Sequence, residues 1–155
     1  MARINSNKKL TIALVANTTW SIYNFRLNLI RFLKDNGFNI LVIAPKDNFS
    51  ANLISEGVSY QHINLDNYGI NPISEIMSIR QLYKIYTKND IDFIIHYTIK
   101  PNIYGSLAAK FAGISSIAVT TGLGHLLSFS NVFTRFISLS MYKLAFRNLV
   151  RRFGF

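Results

Sequence analysis

Most of the chemistry open to this chain rests on Trp20, Arg26, His96, Lys100 and His125, each in or beside a loop that follows an apolar run. Arg26 lies one turn into a helical pattern that starts after Asn17–Ser21. A helix N-terminus offers N–H groups and a partial positive charge, so a phosphate near Ser21, Ile22 and Arg26 fits this stretch. A solvated or structural Arg26 is the competing reading. Trp20, the only tryptophan, stands in the same loop, where its flat ring either stacks on a sugar or lipid or caps the sheet edge. His96 and Lys100 belong to His96-Tyr97-Thr98-Ile99-Lys100-Pro101-Asn102. A histidine there can exchange hydrogen bonds with a sugar hydroxyl or phosphate. Lys100 precedes a helix start, where an anion is already favoured. Against that stands an ordinary buried histidine satisfied by backbone. Thr121-Gly122-Leu123-Gly124-His125 is a glycine-bearing loop whose backbone can approach a ligand, with His125 in reach.

What is missing narrows the field. The loop after the first apolar run, Asn17–Arg26, has no glycine, which argues against the G-x-G-x-x-G turn of a dinucleotide site. No carboxylate pair, Ser-His-Asp set, P-loop or metal-ligand cluster stands out, and among the seven acids only Asp47 and Asp66 fall in or near loops that could face a cleft. The chain has no cysteine, so neither a disulfide framework nor a cysteine-ligated metal is possible. No metal and no cofactor are expected, and no residue can be named as catalytic.

The elements that must position these side chains alternate strictly. Leu10–Ala16, Asn39–Ala44, Asp92–Tyr97 and Ser115–Thr121 are short apolar runs that read as buried strands, and Ser59–Asn64 reads as a strand near the sheet edge. Lys8-Lys9 before Leu10–Ala16 imitates a signal peptide, but the run is at the minimum length and lacks a clean cleavage site, so a strand fits better. Helical spacing covers Ile22–Asn36, with Ile22, Phe25, Leu29, Phe32 and Leu33 on one face. It also covers Phe49–Glu56, a long helix from Asn71-Pro72 with Ile76, Ile79, Leu82, Tyr83 and Tyr86 on one face, Pro101–Ala112, and Asn131–Arg152. This order predicts one α/β domain, a Rossmann-like doubly wound parallel sheet with helices on both faces. Ligands bind beyond the carboxyl ends of such strands. The loops to watch are therefore Asn17–Ile22, Pro45–Asn48, Tyr97–Asn102 and Thr120–His125.

Half of the residues are hydrophobic and the net charge is +10, which favours polyanionic partners: nucleic acid, anionic lipid or phosphorylated substrates. Residues 131–155 hold Arg135, Lys143, Arg147, Arg151 and Arg152 and no acid. With Phe133, Phe136, Ile137, Met141, Leu144 and Leu149 they make a basic amphipathic helix suited to an anionic membrane, at about 1 kcal/mol per basic residue near the surface. An ordinary core-packed helix is the alternative, and the two are compatible. No nucleic-acid motif accompanies the charge, so no nucleic-acid partner is expected. The stretch 111–134 carries no formal charge but is too rich in Gly, Ser, Thr and Asn for a spanning helix.

The loops taken together resemble the N-terminal domain of family 4 glycosyltransferases, one half of a GT-B fold, in the subgroup acting on undecaprenyl-diphosphate-linked sugars. The matching segments are Ser21–Arg26, Val42–Asp47, Asn71-Pro72, Lys100–Gly105, Ala108–Lys110, Thr121–Gly124 and Tyr142–Phe146. The resemblance implies metal-free, retaining transfer of a hexosyl or N-acetylhexosaminyl group from a nucleotide sugar, usually a UDP-sugar, to a lipid-diphosphate-linked saccharide in surface polysaccharide synthesis. It implies a cytoplasmic protein, peripheral on the inner face of a bacterial plasma membrane, with Arg135, Lys143, Arg147, Arg151 and Arg152 touching anionic lipid. Ser21, Ile22 and Arg26 would line the acceptor entrance, His96 and Lys100 would face the cleft, and Thr121, Gly122 and Gly124 would sit near the reaction centre. That family binds its UDP-sugar in a C-terminal donor domain, for which residues 1–155 hold no counterpart. The expectation is a truncated half, inactive alone, that meets UDP-sugar only with such a domain or a partner chain. The alternative is an acceptor-binding or membrane-recruiting subunit for a separate donor-domain chain.

Overall fold

The computed structural model describes residues 8–65 and 72–120. Its five strands are β1 (Thr11–Val15), β2 (Asn39–Ala44), β3 (Ser59–His62), β4 (Phe93–Tyr97) and β5 (Ser115–Val119). All pair in parallel, in the order β3-β2-β1-β4-β5, so the most continuously apolar run lies at the centre and Ser59–His62 at an edge, as expected. Between the strands run α1 (Thr19–Asp35), α2 (Ser50–Ser55) and α3 (Pro72–Lys88), then a π-helical turn (Pro101–Gly105) leading into α4 (Ser106–Ala112).

Alternation along each strand explains why both faces are covered. Ala13, Val15, Leu41 and Ile43 meet Leu82, Ile85 and Tyr86 of α3 and Ala108 of α4. Leu14, Ala16, Val42 and Ala44 meet Ile22 and Ile30 of α1 and Leu53 of α2. Each fully buried Leu, Ile or Val stabilises the fold by about 1.5–3 kcal/mol relative to exposure. The expected doubly wound sheet is therefore present.

Two helix faces differ from their sequence patterns. In α1 the buried residues are Thr19, Ile22 and Ile30, while Phe25 and Phe32 point to solvent. In α3 Ser78, Leu82, Ile85 and Tyr86 are buried, while Ile76 and Tyr83 are exposed. Both helices carry more apolar residues than one face against the sheet can use, so part of each pattern is turned outward. Among the described residues no helix is long and apolar enough to cross a membrane.

The connections place the functional end of the sheet. The chain leaves β1 toward β2 and β3, and leaves β4 toward β5. The strand order therefore reverses between β1 and β4, where Val15 pairs with His96. A crevice beyond the carboxyl ends of these two strands is where a doubly wound sheet receives its ligand.

Candidate functional site

The first loop into this crevice is built around Asp47. α1 starts at Thr19, three residues before the expected Ile22, because Thr18 caps it by accepting a hydrogen bond from the Ser21 N–H at 3.2 Å. Asp47, in the loop after β2, accepts from the backbone N–H of Thr19 at 2.8 Å, of Trp20 at 3.0 Å and of Phe49 at 2.8 Å. It also accepts from the Thr19 hydroxyl. Partial burial pushes its carboxyl up, but the hydrogen bonds from Thr19, Phe49 and Trp20 outweigh this and hold it below the usual carboxylate range. A carboxylate of the chain itself thus occupies the start of α1, where the sequence suggested a phosphate. Ser21 is likewise committed, its hydroxyl donating to the Thr18 carbonyl at 2.9 Å. Ile22 does not line an entrance: its side chain is in the core, packed on the side of the sheet that α1 covers.

Arg26 is the cation that reaches the crevice. Its guanidinium lies 4.8 Å from the centre of the Tyr97 ring, at the last residue of β4, and its Nη1 donates to the Phe25 carbonyl at 3.0 Å. It makes no ion pair among the described residues. Burial pushes the Tyr97 hydroxyl up, partly countered by the Arg26 charge and hydrogen bond. This contact with the Tyr97 ring holds the guanidinium near the end of β4 and leaves its charge for an anion. Beside it, Trp20 (47% exposed) and Phe25 (62% exposed) stand edge to face with ring centroids 5.4 Å apart. Trp20 therefore does not cap the sheet edge; it is half of an exposed aromatic pair next to a cation.

The second loop, after β4, is strained and tightly packed. Thr98 has φ 71°, a left-handed conformation uncommon for a β-branched residue. Its carbonyl accepts from Asn102 N–H at 2.9 Å, and the amide of Asn102 donates to the Val119 carbonyl at 3.2 Å, tying this turn to the end of β5. The π-helical turn follows directly, and such turns concentrate at functional sites.

His96 does not face the cleft, contrary to expectation. It is wholly buried, 3.0 Å from the Tyr86 hydroxyl through Nε2 and 3.5 Å from the Ser106 hydroxyl through Nδ1. Burial lowers its pKa from 6.5 to about 3, against a hydrogen bond to the Ile117 backbone that acts the other way. It is a neutral core histidine over which the π-helical turn is laid. Gly105 permits that approach: a Cβ there would stand 2.6 Å from His96 Nε2 and 3.1 Å from the Tyr86 hydroxyl. Lys100 is engaged with the chain itself, its Nζ 2.7 Å from Glu75 in the first turn of α3, with both side chains largely buried. Glu75 also holds the Tyr104 hydroxyl, whose pKa is raised by burial and then by that carboxylate. Lys100 therefore fixes the π-helical turn against α3.

Thr121, Gly122, Gly124 and His125 of the glycine-bearing loop, and Arg135, Lys143, Arg147, Arg151 and Arg152 of the basic segment, lie outside the described residues. A cavity of about 290 Å³ opens at the opposite end of the sheet, among Thr11, Asn39 and Ser59 at the starts of β1, β2 and β3. It is remote from the crevice. Sequence reasoning missed the roles of Tyr97, Phe25, Glu75 and Asp47, because each depends on a partner distant in the chain or on which way a helix face turns.

The glycosyl transferase 4-like family model matches residues 11–151. The chain belongs to this family. Over 140 residues it is 31% identical to the N,N'-diacetylbacillosaminyl-diphospho-undecaprenol alpha-1,3-N-acetylgalactosaminyltransferase of Campylobacter jejuni, covering 88% of this chain and 37% of that protein. A glycosyltransferase from Rickettsia africae superposes with a TM-score of 0.60 at 15% identity, over 81% of this chain and 34% of its own. MurG of Acinetobacter baumannii gives 0.60 at 14%, over 72% and 34%. A UDP-N-acetylglucosamine 2-epimerase gives 0.61 at 16%, over 94% and 43%. At these identities the structural likenesses establish the fold alone, the Rossmann-like half of a GT-B architecture. The glycosyl transferase 4-like chain spans a little over a third of its curated relative's length.

Proposed function

We propose that this chain supplies the acceptor-facing half of a glycosyltransferase that moves a sugar from a nucleotide sugar to a lipid-diphosphate-linked saccharide in surface polysaccharide synthesis. The observation that carries the reading is Arg26, over the Tyr97 ring in the switch-point crevice and without an ion pair among the described residues. A diphosphate needs such a cation, and the usual alternative, the start of α1, is taken by Asp47. The exposed Trp20–Phe25 pair alongside offers an apolar surface for the first prenyl units or a sugar face. The Campylobacter relative, whose name specifies a diphospho-undecaprenol-linked substrate, supports the same acceptor class. The donor, expected to be a UDP-sugar, would meet the acceptor at the carboxyl ends of the strands, and Thr121–Gly124 belong to that side of the reading.

Trp20, the sole tryptophan, gives the test its signal. Titrating a water-soluble short-prenyl diphosphate-linked N-acetylhexosamine should change Trp20 emission saturably. Arg26→Ala should weaken the affinity about 10- to 100-fold, the range of a charge-assisted hydrogen bond worth about 1.5–3 kcal/mol. The monophosphate-free sugar should give no response. Equal affinity in Arg26→Ala, or no response to the diphosphate compound, would refute the reading.

A further inference from the structure

Among the described residues, three glycines and one threonine have a left-handed backbone. Gly37, Gly57 and Gly113 each stand at or just past the end of a helix, where a residue without a Cβ takes that conformation freely. The fourth is Thr98, with φ 71°. Threonine is β-branched, and its crowded Cβ makes the left-handed region costly. A turn that served only to redirect the chain would be met by glycine, as at the other three positions.

Thr98 carries a second cost. Its Oγ1 is buried and has no hydrogen-bond partner among the described residues. Buried hydroxyl groups normally find a partner, and one left unmet lowers stability. The residue as a whole keeps partial exposure, so what it shows at the surface is not its hydroxyl. The turn itself is held by the Thr98 carbonyl, which accepts from the Asn102 N–H at 2.9 Å, and the hydroxyl has no share in that bond. Both costs fall at one place in the fold. Thr98 directly follows Tyr97, the last residue of β4, whose ring lies under the Arg26 guanidinium. Consecutive Cα atoms are about 3.8 Å apart, so Thr98 stands beside that contact, at the carboxyl end of the sheet and next to the switch point. Strained backbone and unmet polar groups concentrate where a structure is shaped for a ligand rather than for its own stability.

We propose that Thr98 is a ligand-binding residue of the crevice, whose hydroxyl donates to a phosphate or sugar oxygen of the ligand that Arg26 holds. In the free chain the hydroxyl is turned inward. Rotation about χ1 moves Oγ1 from one staggered position to another and brings it out to the ligand. The ligand then supplies the partner that the fold leaves out. This explains why a threonine stands where the backbone alone calls for glycine: the position needs an O–H donor as well as a turn. The inference rests on the acceptor reading for the identity of the ligand, and adds a neutral donor beside the Arg26 charge. A threonine kept only for packing makes the opposite demand, because removing its hydroxyl would then leave binding unchanged.

The experiment pairs binding with unfolding in the full chain. The short-prenyl diphosphate-linked N-acetylhexosamine is titrated against Trp20 emission, and each variant is unfolded in urea. Thr98→Val keeps the shape and branching and removes only the hydroxyl. It should bind about tenfold more weakly, with a urea midpoint no lower than that of the wild type. Thr98→Ser keeps the hydroxyl and should bind within about twofold of the wild type. Thr98→Gly removes both costs and should unfold at higher urea while binding about tenfold more weakly. The same titration with the short-prenyl diphosphate lacking the sugar assigns the oxygen. A loss seen with both compounds places the bond on phosphate, and a loss confined to the sugar-bearing compound places it on the sugar. Wild-type affinity in Thr98→Val and Thr98→Gly would overturn the proposal. So would a lower urea midpoint in both, which would make the hydroxyl a structural group. A wild-type chain that responds to neither compound would sink the acceptor reading and this inference together, whereas a wild-type response that Thr98→Val retains sinks this inference alone.

Discussion

Acidification should destabilise this domain through His96 before any carboxylate is protonated. The buried ring has a pKa of about 3, against 6.5 for a free histidine, because burial disfavours the imidazolium. A ring with its proton on Nδ1 accepts from the Tyr86 hydroxyl at Nε2; protonation would put two donors face to face. Between pH 6.5 and 3 the unfolded chain binds a proton that the folded chain does not. Stability from this group is therefore complete above pH 6.5 and declines as pH falls, by up to about 1.4 kcal/mol per pH unit. Going from pH 7 to pH 5 should cost about 2 kcal/mol. The carboxylates with shifted values, Asp47 and Glu56, are lowered from 3.8 and 4.5, so their stabilising contribution is lost only at lower pH.

Urea unfolding followed by far-UV circular dichroism at pH 7, 6 and 5 measures the slope. His96→Leu isolates it. That variant should be less stable at pH 7, because the Tyr86 hydroxyl is left buried without its partner, at a cost of about 1–3 kcal/mol. It should also lose most of the dependence between pH 7 and 5, whatever the other histidines contribute. A variant that keeps the full slope, or a wild-type chain equally stable at pH 7 and 5, would refute the assignment of His96 as a neutral core residue and return it to the cleft.

Three further outcomes follow from the packing of the two loops. Asp47→Ala removes the acceptor for three backbone N–H groups and should lower unfolding stability by about 2 kcal/mol, with faster amide exchange confined to the first turn of α1 and to Phe49 at the start of α2. Gly105→Ala places a methyl group against His96 and Tyr86 and should cost about 1–3 kcal/mol by denaturant titration, with partial recovery in a Gly105→Ala/His96→Ala pair that opens the space. Lys100→Met strands Glu75 and should cost about 2 kcal/mol, recovered in part by adding Glu75→Gln; a double-mutant cycle with no coupling would show that the pair contributes nothing.

Which features were legible in the sequence depends on how local their cause is. Ile40–Ala44 is apolar throughout because both of its faces are covered, and that condition is written in five adjacent residues, so the strand, its neighbours and the doubly wound sheet could all be read. The crevice followed from the order of elements alone. The occupants of the crevice did not. A helix start and a nearby arginine look the same whether the anion is a ligand phosphate or Asp47, and Asp47 lies 28 residues from the Thr19 N–H it captures. The same ambiguity separates His96 from Arg26. Arg26 is carried by α1, whereas His96 stands one residue before the end of β4, where one residue of strand register decides whether a side chain enters the core or the cleft. Val15 opposite His96 sends that ring beneath the π-helical turn, while Tyr97, one residue on, turns to the other face and carries Arg26. Periodicity also failed to choose between the two apolar faces of α3, because spacing reports that a face exists and not which way it points.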